Sequence, residues 1–217
     1  MKTLVVLSGG MDSTTVLAKA LNEGYEVETI TFDYGSKHNG QEKIAVEKLS
    51  KHYGVPNTRI GLSFISDYFK SDLLKSGGEI PEGHYADPSM KRTVVPFRNG
   101  IMLSIAAGFA ESLEIPSIML GNHFGDHAIY PDCRKSFVEP FAEAIKEGTY
   151  LQVKLLSPFC EKSKADICAL GAKLQVPYEL TYSCYNGEEV HCGRCGTCFE
   201  RKEAFELAHV KDPTRYL

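Results

Sequence analysis

The 217-residue chain has no block of Lys or Arg; 24 basic residues stand against 28 acidic ones, for a net charge of −4. A protein that grips a polynucleotide backbone usually carries a basic stripe, so a small-molecule substrate is favoured over tRNA or DNA. No stretch reaches the roughly 18 uninterrupted apolar residues of a membrane span. The apolar run at Met1–Leu7 stops at Ser8-Gly9-Gly10, too short for a signal-peptide core, and a cytoplasmic protein with no membrane partner is expected. There is no internal repeat and no low-complexity tract. Neither G-x-x-x-x-G-K-[ST] nor G-x-G-x-x-G occurs, which removes the two commonest nucleotide-binding loops.

What is present suits one α/β unit: 43% hydrophobic and 24% charged residues, enough for a full core. Residues 3–7 form a continuous apolar run, as in a buried parallel strand. A helix over 12–22, a β-branched strand over 25–32, a helix over 41–53 and a third strand over 57–62 follow. Residues 76–93, with three glycines and two prolines, read as a long loop near the active site or a lid. Residues 99–113 are helical, 117–120 form another strand, and 137–147 and 164–174 are amphipathic helices, the latter capped by Ser163. Alternating strands and helices predict a doubly wound parallel sheet of Rossmann type, with ligands at the carboxyl ends of its strands. Residues 1–180 are expected to form the nucleotide-binding and catalytic domain. A small C-terminal zinc knuckle and helix over 181–217 would complete one compact unit.

The segment Ser8-Gly9-Gly10-Met11-Asp12-Ser13-Thr14 lies between the first strand and a helix N-terminus. Adjacent glycines permit positive φ and close backbone approach; the exposed N–H groups and helix dipole attract an anion, and hydroxyls add donors. Asp12 suits a Mg²⁺ ion held between carboxylate and phosphate. The plain alternative is a strand-to-helix turn with Asp12 or Ser13 as its cap. As a whole, the segment resembles the S-G-G-x-D-S pyrophosphate loop (PP-loop) of the adenine nucleotide α-hydrolase fold. That resemblance implies that Ser8, Gly9, Gly10, Met11, Asp12, Ser13 and Thr14 hold the pyrophosphate of ATP while AMP is transferred to a substrate oxygen.

Of seven cysteines, Cys184, Cys192, Cys195 and Cys198 cluster as C-x7-C-x2-C-x2-C. Four thiolates complete a tetrahedral Zn²⁺ shell of structural type. An iron–sulfur cluster, a redox pair, or His191 replacing one thiol are the alternatives. Cys160 and Cys168 read as small buried residues.

Phe32-Asp33-Tyr34-Gly35 with His38, Val95-Pro96-Phe97-Arg98-Asn99, Tyr130-Pro131-Asp132-Cys133-Arg134, and Thr181 ahead of the cysteines extend the match. Together with the loop they resemble the 7-cyano-7-deazaguanine synthase family of queuosine biosynthesis, from about residue 3 to about residue 200. The resemblance implies an ATP-dependent carbon–nitrogen ligase that converts 7-carboxy-7-deazaguanine and ammonia to a nitrile through adenylated carboxylate and amide intermediates, and a homodimer. It implies catalytic roles for Asp12, Ser13 and Lys164, and a phosphate contact for Arg98. Asp33, Tyr34, His38, Tyr130, Asp132 and Arg134 would bind substrate, with Asp132 taking the ring N–H groups and Arg134 the carboxylate. His123, Asp126 and His127 could hold a second metal or form a polar loop. The chain departs from the family pattern at Ser36-Lys37 (usually Gln-Arg), at Phe97 (commonly Gly) and over 121–127. Other readings are a tRNA-modifying or another amide-forming adenylase, a relative that stops at the amide or conjugates the base, and a non-enzymatic nucleotide sensor.

Overall fold

A computed structural model describes residues 1–85 and 87–217. Five strands, β1 (Lys2–Val6), β2 (Glu26–Asp33), β3 (Asn57–Gly61), β4 (Ser117–Met119) and β5 (Lys154–Leu156), form one parallel sheet in the order β3-β2-β1-β4-β5. The helices are α1 (Met11–Asn22), α2 (Asn39–Tyr53), α3 (Ser63–Tyr68), α4 (Arg98–Ser112), α5 (Lys135–Glu147), α6 (Lys164–Lys173) and α7 (Gly196–Leu207). The doubly wound parallel sheet is as the sequence predicts. β5 and α3, three and six residues long, are not read from the sequence; β5 opens on the exposed Lys154 and so shows no continuous apolar run.

Apolar residues alternate across the sheet. Leu4, Ile30 and Ile118 face a core completed by Leu103 and Ala106 of α4 and Val138 of α5. Val5, Val27 and Met119 face the opposite core, with Val16 and Leu17 of α1, Val46 of α2 and Ile167 of α6. Helices cover both faces, which is why the strands read as continuous apolar runs. Among the described residues no helix is long and apolar enough to cross a membrane.

The sheet order reverses between β1 and β4, and a crevice opens at the carboxyl ends of these neighbours. Gly121, just beyond β4, is required there: a Cβ would stand 3.0 Å from Ser13 N, in the first turn of α1.

The C-terminal segment is tied back onto this crevice. α7 packs on α6, and a small core joins Met11 and Ala18 of α1 to Cys168, Tyr178, Ala204 and Phe205. Arg201, fully buried, donates to Thr181 Oγ1 (2.8 Å), Ser183 Oγ (3.2 Å) and the Tyr178 carbonyl (3.1 Å), and pairs with Asp212 (3.3 Å). A buried guanidinium is tolerable when its donors are met in this way.

The departures from the family pattern are accommodated locally. Lys37 Nζ donates to the carbonyls of Asp72 (2.6 Å) and Gly78, pinning the 71–78 segment. Phe97 adopts φ 53°, in the left-handed region, and its ring lies over Gly100 and against Phe137.

Candidate active site

The loop after β1 builds the floor of the crevice. Gly10 is the N-cap of α1, so the first amides of that helix lack intrahelical partners and form an anion-binding end. Ser13 Oγ accepts from Ser8 N (3.2 Å) and lies 3.1 Å from Ser8 Oγ, fixing the curve of the loop. The two glycines differ. Gly9 has φ 84°, and a Cβ there would come within 3.0 Å of Ala45 Cβ and 3.1 Å of the Glu42 carbonyl. Gly10 has an ordinary φ of −77°, so the expected positive φ belongs to Gly9 alone. Ser8, Gly10, Met11, Asp12 and Ser13 line the pocket. Gly9 lies behind the loop against α2. Thr14 is fully buried and bonds back to the Gly10 carbonyl (2.7 Å), so it shapes the turn and does not face the pocket.

Asp12 and Lys164 meet at the pocket, with Lys164 Nζ 3.1 Å from Asp12 Oδ2. Ser163 caps α6 as predicted, in a capping box with Asp166. Lys164 is not a solvated helix lysine: its ammonium also lies 2.7 Å from Glu200 Oε2, from α7. Burial alone would push this ammonium down, but the charges of Asp12, Glu200 and Asp126 hold it above its ordinary range.

His123 Nδ1 accepts from Gly125 N (3.1 Å), which places the ring proton on Nε2. That nitrogen faces Asp126 (3.6 Å), Glu200 (3.8 Å) and Asp12 (3.9 Å). Tyr85 OH donates to Asp126 Oδ1 at 2.9 Å. Burial opposes ionisation of Asp126, yet the adjacent His123 ring, the Lys164 ammonium and the Tyr85 hydrogen bond hold its carboxyl below the usual range. His127 lies instead beside Cys160 (3.8 Å) and Phe124, so 121–127 forms a polar loop and not a second metal site.

Asp12 Oδ1 is buried with no hydrogen-bond partner. An orphaned carboxylate oxygen beside an anion-binding helix end fits a hard cation.

The far wall is aromatic. Tyr34, Tyr85, Tyr130 and Tyr185 line it with His38 and Arg98. Arg98 donates to Tyr34 OH at 3.1 Å and its guanidinium lies 5.5 Å from the centre of that ring. Tyr130 OH sits 3.0 Å from both Thr93 Oγ1 and Tyr185 OH. Burial pushes the Tyr34 phenol up to about 12, although Arg98 opposes the shift. His38 lies 3.4 Å from Glu42 and leaves its buried Nδ1 without a partner.

Three residues expected to bind substrate do not line this pocket. Asp33 accepts from Arg59 (2.5 Å), Asn39 and Gly35 N, and so organises the turn after β2. Asp132 is buried and accepts from Asn99 N at 2.8 Å, which caps α4. Arg134 is exposed, its Nε donating to the His127 carbonyl at 2.8 Å. Conversely, Asp126 was read from sequence only as part of a second metal site or polar loop, and Tyr85, Tyr185 and Glu200 were not singled out. Adjacency to motif residues (Tyr185 follows Cys184, Glu200 stands two past Cys198) is the only signal that could have found the last pair.

Among the described residues, the four cysteines form the one group of possible metal ligands that converges, all Sγ atoms lying within 4.8 Å of one another and buried. Backbone amides of Cys195 (3.3 Å) and Arg194 (3.4 Å) donate to Cys192 Sγ, and that of Cys192 to Cys184 Sγ (3.4 Å). Amides aimed at sulfur suit thiolates, and the spacing suits a tetrahedral ion with metal–sulfur bonds of about 2.3 Å. His191 is not among them; its Nε2 accepts from Ser183 N at 3.1 Å.

The family model described as queuosine biosynthesis protein QueC matches residues 2–209. The chain is 51% identical over 214 residues to a 7-cyano-7-deazaguanine synthase of Porphyromonas gingivalis, covering 99% of this chain and 96% of the relative. It is 50% identical over 215 residues to one from Desulfotalea psychrophila, covering 99% and 98%. Among solved structures it is similar to the U34-tRNA thiolase NcsA of Methanococcus maripaludis with its [4Fe-4S] cluster. That match has a TM-score of 0.52 and 16% identity, over 98% of this chain and 74% of the other. A 4-thiouridine synthetase–RNA complex with bound ATP matches at TM-score 0.50 and 16% identity, over 96% and 50%. At that identity the structures speak for the fold alone.

Proposed function

The chain belongs to the QueC family, whose relatives above are 7-cyano-7-deazaguanine synthases, and we propose that its pocket makes that nitrile by adenylation. The observation that carries this reading is the meeting of Asp12 and Lys164 beside the α1 end, with one Asp12 oxygen left unpartnered. In this reading Ser8, Gly10 and Ser13 hold the β,γ-pyrophosphate of ATP, and Lys164 adds a fixed positive charge. Asp12 would hold Mg²⁺, which when bound supplies charge neutralisation on the phosphates.

The substrate is 7-carboxy-7-deazaguanine. Its carboxylate is inert to nitrogen because oxide is a poor leaving group. A carboxylate oxygen attacks the α-phosphorus and pyrophosphate departs, leaving an acyl adenylate. Ammonia attacks the acyl carbon, AMP leaves, and a proton is lost to give the amide. The amide oxygen then attacks the α-phosphorus of a second ATP and expels pyrophosphate; loss of AMP and of the two nitrogen-bound protons yields the nitrile. Pocket residues contribute by holding reactants close and by preset charge.

The aromatic wall is the place for the base, with Tyr34, Tyr130 and His38 around the ring. Arg98 was expected to take a phosphate, but its contact is with the phenol of Tyr34. We assign it to the substrate carboxylate, for which a guanidinium fork is suited. The four cysteines would hold Zn²⁺ as a closed structural site within residues 181–217. The family resemblance further supports a cytoplasmic homodimer fed by ammonia.

The test is isotope exchange. Labelled pyrophosphate should enter ATP when the carboxylated base is present and ammonium is absent. Adding ammonium should then release AMP and give amide, and with more ATP the nitrile. Formation of ADP and phosphate, or exchange supported by tRNA and not by the free base, would refute the reading.

A further inference from the structure

Lys164 stands between two carboxylates that reach it from opposite ends of the chain. Asp12 Oδ2 approaches to 3.1 Å from the first turn of α1, and Glu200 Oε2 to 2.7 Å from α7. Their placements differ. Asp12 lines the pocket and has a second oxygen without a partner; Glu200 is buried behind the lysine and does not line the pocket. Glu200 also lies against the turn at residues 123–125. Its Oε1 lies 3.8 Å from His123 Nε2, and a Cβ added at Gly125 would stand only 2.9 Å from the same oxygen. Its helix is fixed one turn earlier, since Cys195 is the N-cap of α7 and Cys198 lies in its first turn.

A carboxylate meant for a divalent cation is poorly served by an ammonium of its own, because the two cations compete for it and repel each other. An ammonium shared with a second, more closely placed anion leaves the first carboxylate freer. Resting on the adenylation reading, we infer that Glu200 is a positioning residue of the nucleotide site. It draws Lys164 toward α7, so that Asp12 stays open to the cation of the nucleotide while the lysine remains aimed at the phosphates. Without Glu200 the lysine closes onto Asp12. The same anion would lie near the phosphates of a bound nucleotide, so its removal does not weaken the attraction of the pocket for free ATP.

The two effects have opposite signs, which makes them separable from simple damage. Glu200→Gln keeps the shape and removes the charge, Glu200→Ala removes both, and Glu200→Asp keeps the charge on a shorter arm. Binding of ATP to the full-length protein is measured by calorimetry with and without Mg²⁺, together with melting. In Glu200→Gln, affinity for MgATP should fall about tenfold, and the Mg²⁺ needed for half-saturation should rise by a similar factor. Affinity for Mg²⁺-free ATP should hold or increase, and high Mg²⁺ should restore the rate of pyrophosphate exchange. Glu200→Asp should lie between wild type and Gln. Equal losses with and without Mg²⁺, or an unchanged Mg²⁺ requirement in a folded Gln variant, would overturn the inference. If Glu200→Ala does not fold, the Gln variant decides alone. A wild-type protein whose ATP binding ignores Mg²⁺ would instead overturn the adenylation site itself.

Discussion

The backbone amide of Tyr182 donates to the carbonyl of Gly9 at 2.9 Å. The segment leading into the four cysteines is thereby hydrogen-bonded to the loop that precedes α1. The loop is clamped from two sides, by α2 under Gly9 and by Tyr182 across it.

This clamp predicts different outcomes at the two glycines. Gly9→Ala must hold a side chain at φ 84° and within 3.0 Å of Ala45 Cβ, so it should destabilise the protein by about 1–3 kcal/mol. Gly10→Ala meets nothing closer than Ser8 Oγ at 3.4 Å and should melt normally. Its defect should appear in ATP binding, where the added methyl faces the pocket. Melting curves and nucleotide titrations of both variants check this; a Gly9→Ala protein of full stability would refute it.

Metal analysis of the purified protein should find one tightly bound, colourless ion per chain. Cys195→Ser should lose it, with a large fall in melting temperature, because structural zinc sites contribute on the order of 10–16 kcal/mol of binding free energy. The same variant should lose nucleotide affinity, since Cys195 begins the helix that carries Glu200. A brown protein with visible absorbance would point to an iron–sulfur cluster.

Within the Tyr130–Arg134 motif, Asp132 should matter for folding and Arg134 for neither folding nor substrate. Asp132→Ala removes the acceptor for Asn99 N and should cost about 0.5–2 kcal/mol. Arg134→Ala should change stability by less than about 0.5 kcal/mol and leave the KM for the carboxylated base unchanged. A raised KM in Arg134→Ala would return that residue to the substrate site.

Arg98 separates the two ligands. Losing a charge-assisted contact costs roughly 1.5–3 kcal/mol, so Arg98→Ala should raise the KM for the base about ten- to a hundredfold. The KM for MgATP should change little. The reverse pattern would make Arg98 a phosphate ligand.

Much of this was legible in the sequence because its determinants are local. The apolar run of β1, the Gly-Gly turn, the Ser163 cap and the cysteine spacing each constrain their own neighbourhood. The parallel, doubly wound sheet follows from strands alternating with helices, whereas its order appears only in the fold. What was not legible depends on which side chains the fold brings together. Asp132 has the chemistry of a ligand, but α4 happens to start beside it and takes its carboxylate as a cap. Glu200 looks like an ordinary surface acid of a C-terminal helix until α7 packs on α6 and sets it against Lys164. Gly9 and Gly10 are equivalent as letters and distinct only once α2 is packed beneath them.

The bond between Tyr182 and Gly9 also orders events during protein synthesis. β1, α1 and β2 leave the ribosome early and β1 pairs with β2 along its length, but groups that hold the loop lie far down the chain. The Tyr182 half of its clamp, and Glu200 beside Lys164, arrive only with the last fifth of the chain. A nascent or prematurely ended product therefore has a phosphate-binding turn without a positioned lysine. On the adenylation reading, a chain ended before α7 should bind nucleotide weakly and fail to turn over.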